Sequence, residues 1–190
     1  AVFCYNRPRH LSLMLHHLSI SLKEYGDVDV ILFQDAPVGA KTSQWVETSE
    51  IARRFDRATY ASRKQNLGFH NIISGVTELL ECYDGVIVFE DDIVPDRNAI
   101  GYFLAALRYY QSESRVYSVC GAQFARSSLQ AFESEFFLAR FFIPWGWATW
   151  KRAWESFDAV RPTRVLGTGE VEEFNLGNGT YFSDLLVQAI

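Results

Sequence analysis

Short apolar runs of strand length alternate with stretches of helical periodicity four times before residue 121, and this rhythm constrains the fold more than any other feature of the chain. Val2-Phe3-Cys4-Tyr5 is the first run, broken by Asn6-Arg7-Pro8. Leu11, Leu15, Leu18 and Leu22 then recur at helical spacing, which predicts an amphipathic helix over 9–24. Val28 to Phe33 reads as a second buried strand, ended by Gln34-Asp35-Ala36-Pro37. A helix is expected over 44–54 and a short strand at Ala58-Thr59-Tyr60. Ile72, Val76, Leu79, Leu80 and Tyr83 mark a helix over 66–83, and Val86-Ile87-Val88-Phe89 is the clearest strand of all. A helix over Ala99 to Tyr110 and a strand over Val116 to Cys120 complete the series. Strands that alternate with helices build a parallel sheet covered on both faces. The expected class is therefore α/β, a Rossmann-like, mostly parallel sheet with helices on both faces.

Beyond residue 121 the rhythm changes. Glu135 to Phe142 reads as a strand, Trp145 to Trp150 as an aromatic turn and Lys151 to Phe157 as a short helix. Residues 161–180 hold five Gly or Pro and read as a loop. With 190 residues, the chain suits one domain, 1–190, with a regular half over 1–121 and a more irregular half over 122–190. Leu185 to Ile190 reads as a helix that stops without a cap or polar tail, so a fragment truncated at the C-terminus is expected.

Composition removes several function classes. With 48% apolar and 22% charged residues, the bulk of the chain is globular rather than disordered. A net charge of -5 argues against a nucleic-acid partner, because phosphate backbones select a basic surplus. No apolar run reaches transmembrane length. Cys4, Cys82 and Cys120 are odd in number and widely spaced, which speaks against a disulfide framework or a zinc-thiolate site. The thiols and the lack of a targeting signal predict a cytoplasmic location, with peripheral association with a membrane left open. Oligomeric state is left open.

The chemistry gathers at strand ends. Glu90-Asp91-Asp92 follows the clearest strand directly, where ligands of parallel sheets bind. Side-chain alternation would put Glu90 and Asp92 on one face and turn Asp91 away. Crowded carboxylates repel, and Mg²⁺ or Mn²⁺ relieves that repulsion while sharing phosphate oxygens with a substrate. The plain alternative is a solvated acidic turn. Arg7 and Asp35 close the first and second strands, where they would reach a phosphate or a base, or serve as ordinary turn residues. Arg63 and Lys64 precede a helix whose N-terminus suits an anion, with Asn66 as a rival N-cap reading. Four of the five Trp fall between Trp145 and Trp154. There Gly146 would admit a close ligand and Trp147 would stack on it, or the aromatic rings would simply pin the loop. Asp184 near the last helix is either a general base or a first-turn residue. The four His lack ligand spacing and read as structural.

These motifs occur in an order that resembles the nucleotide-sugar glycosyltransferases of the GT-A fold. The chain is most similar to the branch that contains the β-1,2-N-acetylglucosaminyltransferase of N-glycan synthesis and its bacterial relatives. The Trp-rich run looks more like the bacterial members. The resemblance implies that Arg7 and Asp35 contact the uracil end of a UDP-sugar and that Asp91 holds the ribose. Asp92 would be the protein ligand of Mn²⁺ or Mg²⁺, and Glu90 would touch the transferred sugar. Arg63, Lys64, Gly146 and Trp147 would complete the donor site. The family's His before the Arg-Lys pair is replaced here by Ser62. Asp184 would be the base of an inverting displacement, and 122–190 the acceptor side. The implied partners are a nucleotide-sugar donor, with UDP-GlcNAc as first choice, and a glycan or glycolipid acceptor. A metal-dependent nucleotidyltransferase is the rival enzyme, but Asn6-Arg7-Pro8 lacks the glycines of its phosphate loop. A carbohydrate-binding domain without catalysis is the rival binding module.

Overall fold

The computed structural model describes residues 1–122, 138–139 and 142–157. Asp184, the loop over 161–180 and the terminal helix lie outside the described residues, as does most of the strand expected over 135–142. The chain divides into two compact units, Ala1–Phe124 with Ile143–Phe157, and Ala125–Phe142 with Asp158–Ile190. Every element below belongs to the first.

Among the described residues six strands form one sheet in the order β3-β2-β1-β4-β6-β5. They are β1 (Val2–Cys4), β2 (Val30–Gln34), β3 (Ala58–Ser62), β4 (Gly85–Glu90), β5 (Ser118–Cys120) and β6 (Trp147–Trp150). The first four pair in parallel, and β6 runs antiparallel to both β4 and β5. The fold is thus the α/β, Rossmann-like one expected. Strand order reverses between β1 and β4, so the crevice beyond their carboxyl ends is the switch point where open α/β sheets bind ligands.

Among the described residues five helices cover the sheet: α1 (Pro8–Ser21), α2 (Ser43–Arg54), α3 (His70–Leu80), α4 (Ala99–Tyr109) and α5 (Lys151–Trp154). Alternation along β1 sorts its side chains between two cores. Val2 and Cys4 pack with Leu11, Met14, Leu18 and Phe103 of α1 and α4. Phe3 points the other way, against Phe33, Val76 and Leu80. Each fully buried Leu or Phe contributes about 1.5–3 kcal/mol. Pro8 opens α1 at its first turn, where its fixed φ and missing N–H are harmless. Thr42 caps α2 through its side chain, accepting from the Trp45 N–H at 3.1 Å.

Two expectations are corrected. The aromatic turn at Trp145 to Trp150 is a turn only over Trp145 and Gly146; from Trp147 it is β6, with all four residues buried. Trp147 faces the Phe3 side while Ala148 and Trp150 face the α1 side, so a period of two was hidden under uniformly apolar residues. Helix α3 starts at His70, not 66. Gly68 sits at φ +53°, outside the right-handed helix, and Asn66 donates to the Ala36 carbonyl at 2.6 Å instead of capping.

Candidate active site

Parallel pairing carries one residue past the strand ends and thereby sets the site. Asp91 N–H donates to the Phe3 carbonyl, Asp35 N–H to the Cys4 carbonyl and Arg63 N–H to the Gln34 carbonyl, each at 2.9 Å. Asp91, Tyr5 to Arg7, Asp35 and Arg63 therefore emerge along one edge. The antiparallel β6 reaches the same edge from the opposite direction. Val88 pairs with Trp147, which brings Gly146 beside Phe89 and puts Trp145 next to the end of β4.

At the switch point the Arg7 guanidinium joins two carboxylates. Nη1 lies 2.7 Å from Asp92 Oδ2, and Nη2 is ion-paired with Asp91 Oδ1. Asp91 is 1% exposed, whereas Arg7 and Asp92 are each 42% exposed. The Tyr5 N–H also faces Asp91 Oδ2, at 3.4 Å. The strand ends at Glu90, so alternation stops there and the turn delivers Asp91 and Asp92 to a common partner. This corrects the expectation that Asp91 points away from Asp92.

Electrostatics follow from that crowding. Burial raises the pKa of Glu90 above the usual carboxylate value, Asp92 and Asp91 raise it further, and Arg7 opposes them. Burial raises Asp91 as well, against the pull of Arg7 and the Tyr5 N–H. Burial also works against the charge of Arg7, but Asp91 and then Asp92 outweigh it, and the guanidinium is held firmly cationic. Among the described residues no three His, Cys, Asp or Glu side chains gather as a ready-made metal cage. The half-exposed Asp92 instead fits the way Mg²⁺ or Mn²⁺ is commonly held, by one or two carboxylates plus substrate phosphates.

Several expected ligand contacts are otherwise engaged. Asp35 accepts from the backbone N–H groups of Ala36 at 2.9 Å, Leu67 at 2.9 Å and Gly68 at 2.7 Å. Its oxygens are used to tie the 66–68 loop to the end of β2, rather than left for a base. Arg63 is held by partners within the protein, one of them the Glu78 carboxylate. Its guanidinium lies 4.5 Å over the Phe33 ring, with Nε on Asn71 Oδ1 at 2.8 Å and Nη1 on Glu78 Oε1 at 2.6 Å. Lys64 is exposed on the loop that follows β3. Trp147 is 6% exposed and stacks with Trp154 inside the α3-side core, so it is packing rather than ligand surface. Gly146 is at φ +69°, and an added Cβ would approach Phe89 at 3.3 Å. Trp145, 48% exposed, is the residue of the cluster that the expectation passed over.

Gln34 was also missed as a positioning residue. It is fully buried, donates to the Tyr5 carbonyl at 2.9 Å and the Trp45 carbonyl at 3.0 Å, and accepts from Ser49 and Tyr60. It thereby fixes the turn that carries Arg7. The only available signal was a polar amide ending an apolar run.

No protein-family model matches the chain, and no curated protein matches it. Among solved structures, a mannosyltransferase from Pyrobaculum calidifontis, determined in complex with GDP-Man and Mn²⁺, is similar in fold. The TM-score is 0.55 at 15% identity, over 78% of this chain and 43% of that one. The chain thus spans less than half the length of this structural neighbour. What the likeness shows is the fold: this chain has the GT-A, Rossmann-like architecture.

Proposed function

We propose that the chain carries the donor site of a metal-dependent glycosyltransferase that moves a sugar from a nucleotide diphosphate sugar to an acceptor hydroxyl. The observation that carries this reading is the meeting of Arg7, Glu90, Asp91 and Asp92 at the switch point. The neighbour solved with GDP-Man and Mn²⁺ supports it. Asp92 would hold Mn²⁺ or Mg²⁺, which when bound offsets the charge that develops on the departing diphosphate. Asp91 braces that arrangement from the buried side. Glu90 would orient a hydroxyl of the transferred sugar, and Trp145 would offer a ring face to it. Asp184 would accept the proton of the attacking hydroxyl, giving inversion at the anomeric carbon. We take the donor to be a UDP-sugar, with UDP-GlcNAc as first choice, and the acceptor to be a glycan or glycolipid.

Nucleotide release from UDP-GlcNAc, UDP-glucose and GDP-mannose, with Mn²⁺ and with EDTA, tests the reading. Metal-dependent release from a UDP-sugar is expected. Release from GDP-mannose alone would correct the base, and no release from any nucleotide sugar would overturn the activity. Asp184→Asn should lose transfer by about 10²- to 10⁴-fold while leaving nucleotide affinity unchanged. A parallel loss of nucleotide binding would move Asp184 out of the base role.

A further inference from the structure

Arg7 occupies Oδ2 of Asp92, one of the two oxygens that a metal would use, and its positive charge sits beside the other. One guanidinium spans both carboxylates of the turn, with Nη1 on Asp92 Oδ2 and Nη2 on Asp91 Oδ1. Its two halves differ. Asp91 is buried, is met by the Tyr5 N–H and has its own N–H fixed to β1. Asp92 is half-exposed and replaceable by solvent or another cation. The Arg7 main chain is pinned, since its carbonyl accepts the Leu11 N–H at 3.0 Å and its flank is held by Gln34 through Tyr5. Movement is thus left to the side chain. A guanidinium and a divalent cation drawn to one carboxylate also repel each other.

Resting on the functional reading above, we propose that Arg7 is an internal stand-in for the metal. It closes Asp92 against a bare cation. When a cation arrives together with a nucleotide diphosphate, Arg7 gives up Asp92, stays on Asp91 and turns its freed N–H donors to the diphosphate. The site then selects the metal–nucleotide pair over either component, because the diphosphate compensates Arg7 for the carboxylate it loses. No bond is made or broken; the exchange is of ion pairs only.

The proposal makes two effects of opposite sign. Mn²⁺ affinity without nucleotide is read by electron paramagnetic resonance, and UDP affinity at saturating Mn²⁺ by calorimetry, on wild type, Arg7→Met and Arg7→Lys. Arg7→Met should bind Mn²⁺ alone about ten-fold tighter and UDP with Mn²⁺ about ten-fold weaker. Arg7→Lys, which keeps the charge but not the two-pronged fork, should fall between. A side chain that merely orients Asp92 would weaken both on removal, and that result overturns the proposal while leaving the donor site intact. Unchanged Mn²⁺ affinity in both variants overturns it too. Absence of Mn²⁺ and of UDP–Mn²⁺ binding in folded wild type overturns the proposal and the functional reading together. Matching melting temperatures for wild type and Arg7→Lys confirm that the comparison is made on folded protein.

Discussion

Asp35 and Glu90 show how one residue type takes different work from its surroundings. Asp35 spends its oxygens on three backbone N–H groups, which gives it a bracing role. Asp35→Ala leaves those donors without their acceptor and is expected to lower stability by about 2–3 kcal/mol. Amide exchange should quicken first at residues 66–68, whereas loss spread evenly over the sheet would contradict the bracing role. Glu90 is instead pushed up by burial and by its acidic neighbours. The native state then keeps a proton that the unfolded chain has released, so ionising Glu90 penalises the fold as pH climbs through its native value. In EDTA, Glu90→Gln should melt above wild type at neutral pH, and the gap should close on acidification as Glu90 itself becomes neutral. A gap that widens on acidification would refute the sign.

At the scale of elements, glycines mark the close approaches that composition alone does not reveal. An added Cβ at Gly75 of α3 would lie 2.5 Å from the Phe3 ring and 3.2 Å from Phe33. Phe3 is 4% exposed and stacked on Phe33 at 5.2 Å, so it has no room to yield. Gly75→Ala should therefore destabilise by about 1–3 kcal/mol in chemical denaturation, despite the better helix propensity of Ala. A gain in stability would show that α3 can ride away from the sheet. The elements were legible where periodicity and burial agree: α1 follows from Leu11, Leu15 and Leu18, and β4 from its apolar run. They were not legible where a distant partner decides. The start of α3 depends on Asp35, more than thirty residues upstream, and β6 is a strand because β4 and β5 leave a slot between them. The site divides the same way. The edge that gathers Arg7, Asp35 and the acidic turn was readable from strand order, since parallel strands end together. The partners of Arg63 and the burial of Trp147 required the packed structure, because charge and ring say nothing of which way a side chain turns.

For the whole molecule, the order β3-β2-β1-β4 places a reversal of winding at the one strand pair whose ends carry Arg7 on one side and Asp91-Asp92 on the other. Among the described residues no helix is long and apolar enough to cross a membrane. The most direct test is calorimetric titration of UDP, with GDP in parallel, into wild type and Asp92→Ala, each with Mn²⁺ and with EDTA. The account predicts binding to wild type with Mn²⁺ only, weakened at least about ten-fold in Asp92→Ala. Equal affinity in EDTA, or in the variant, would contradict a metal-borne nucleotide site at the end of β4.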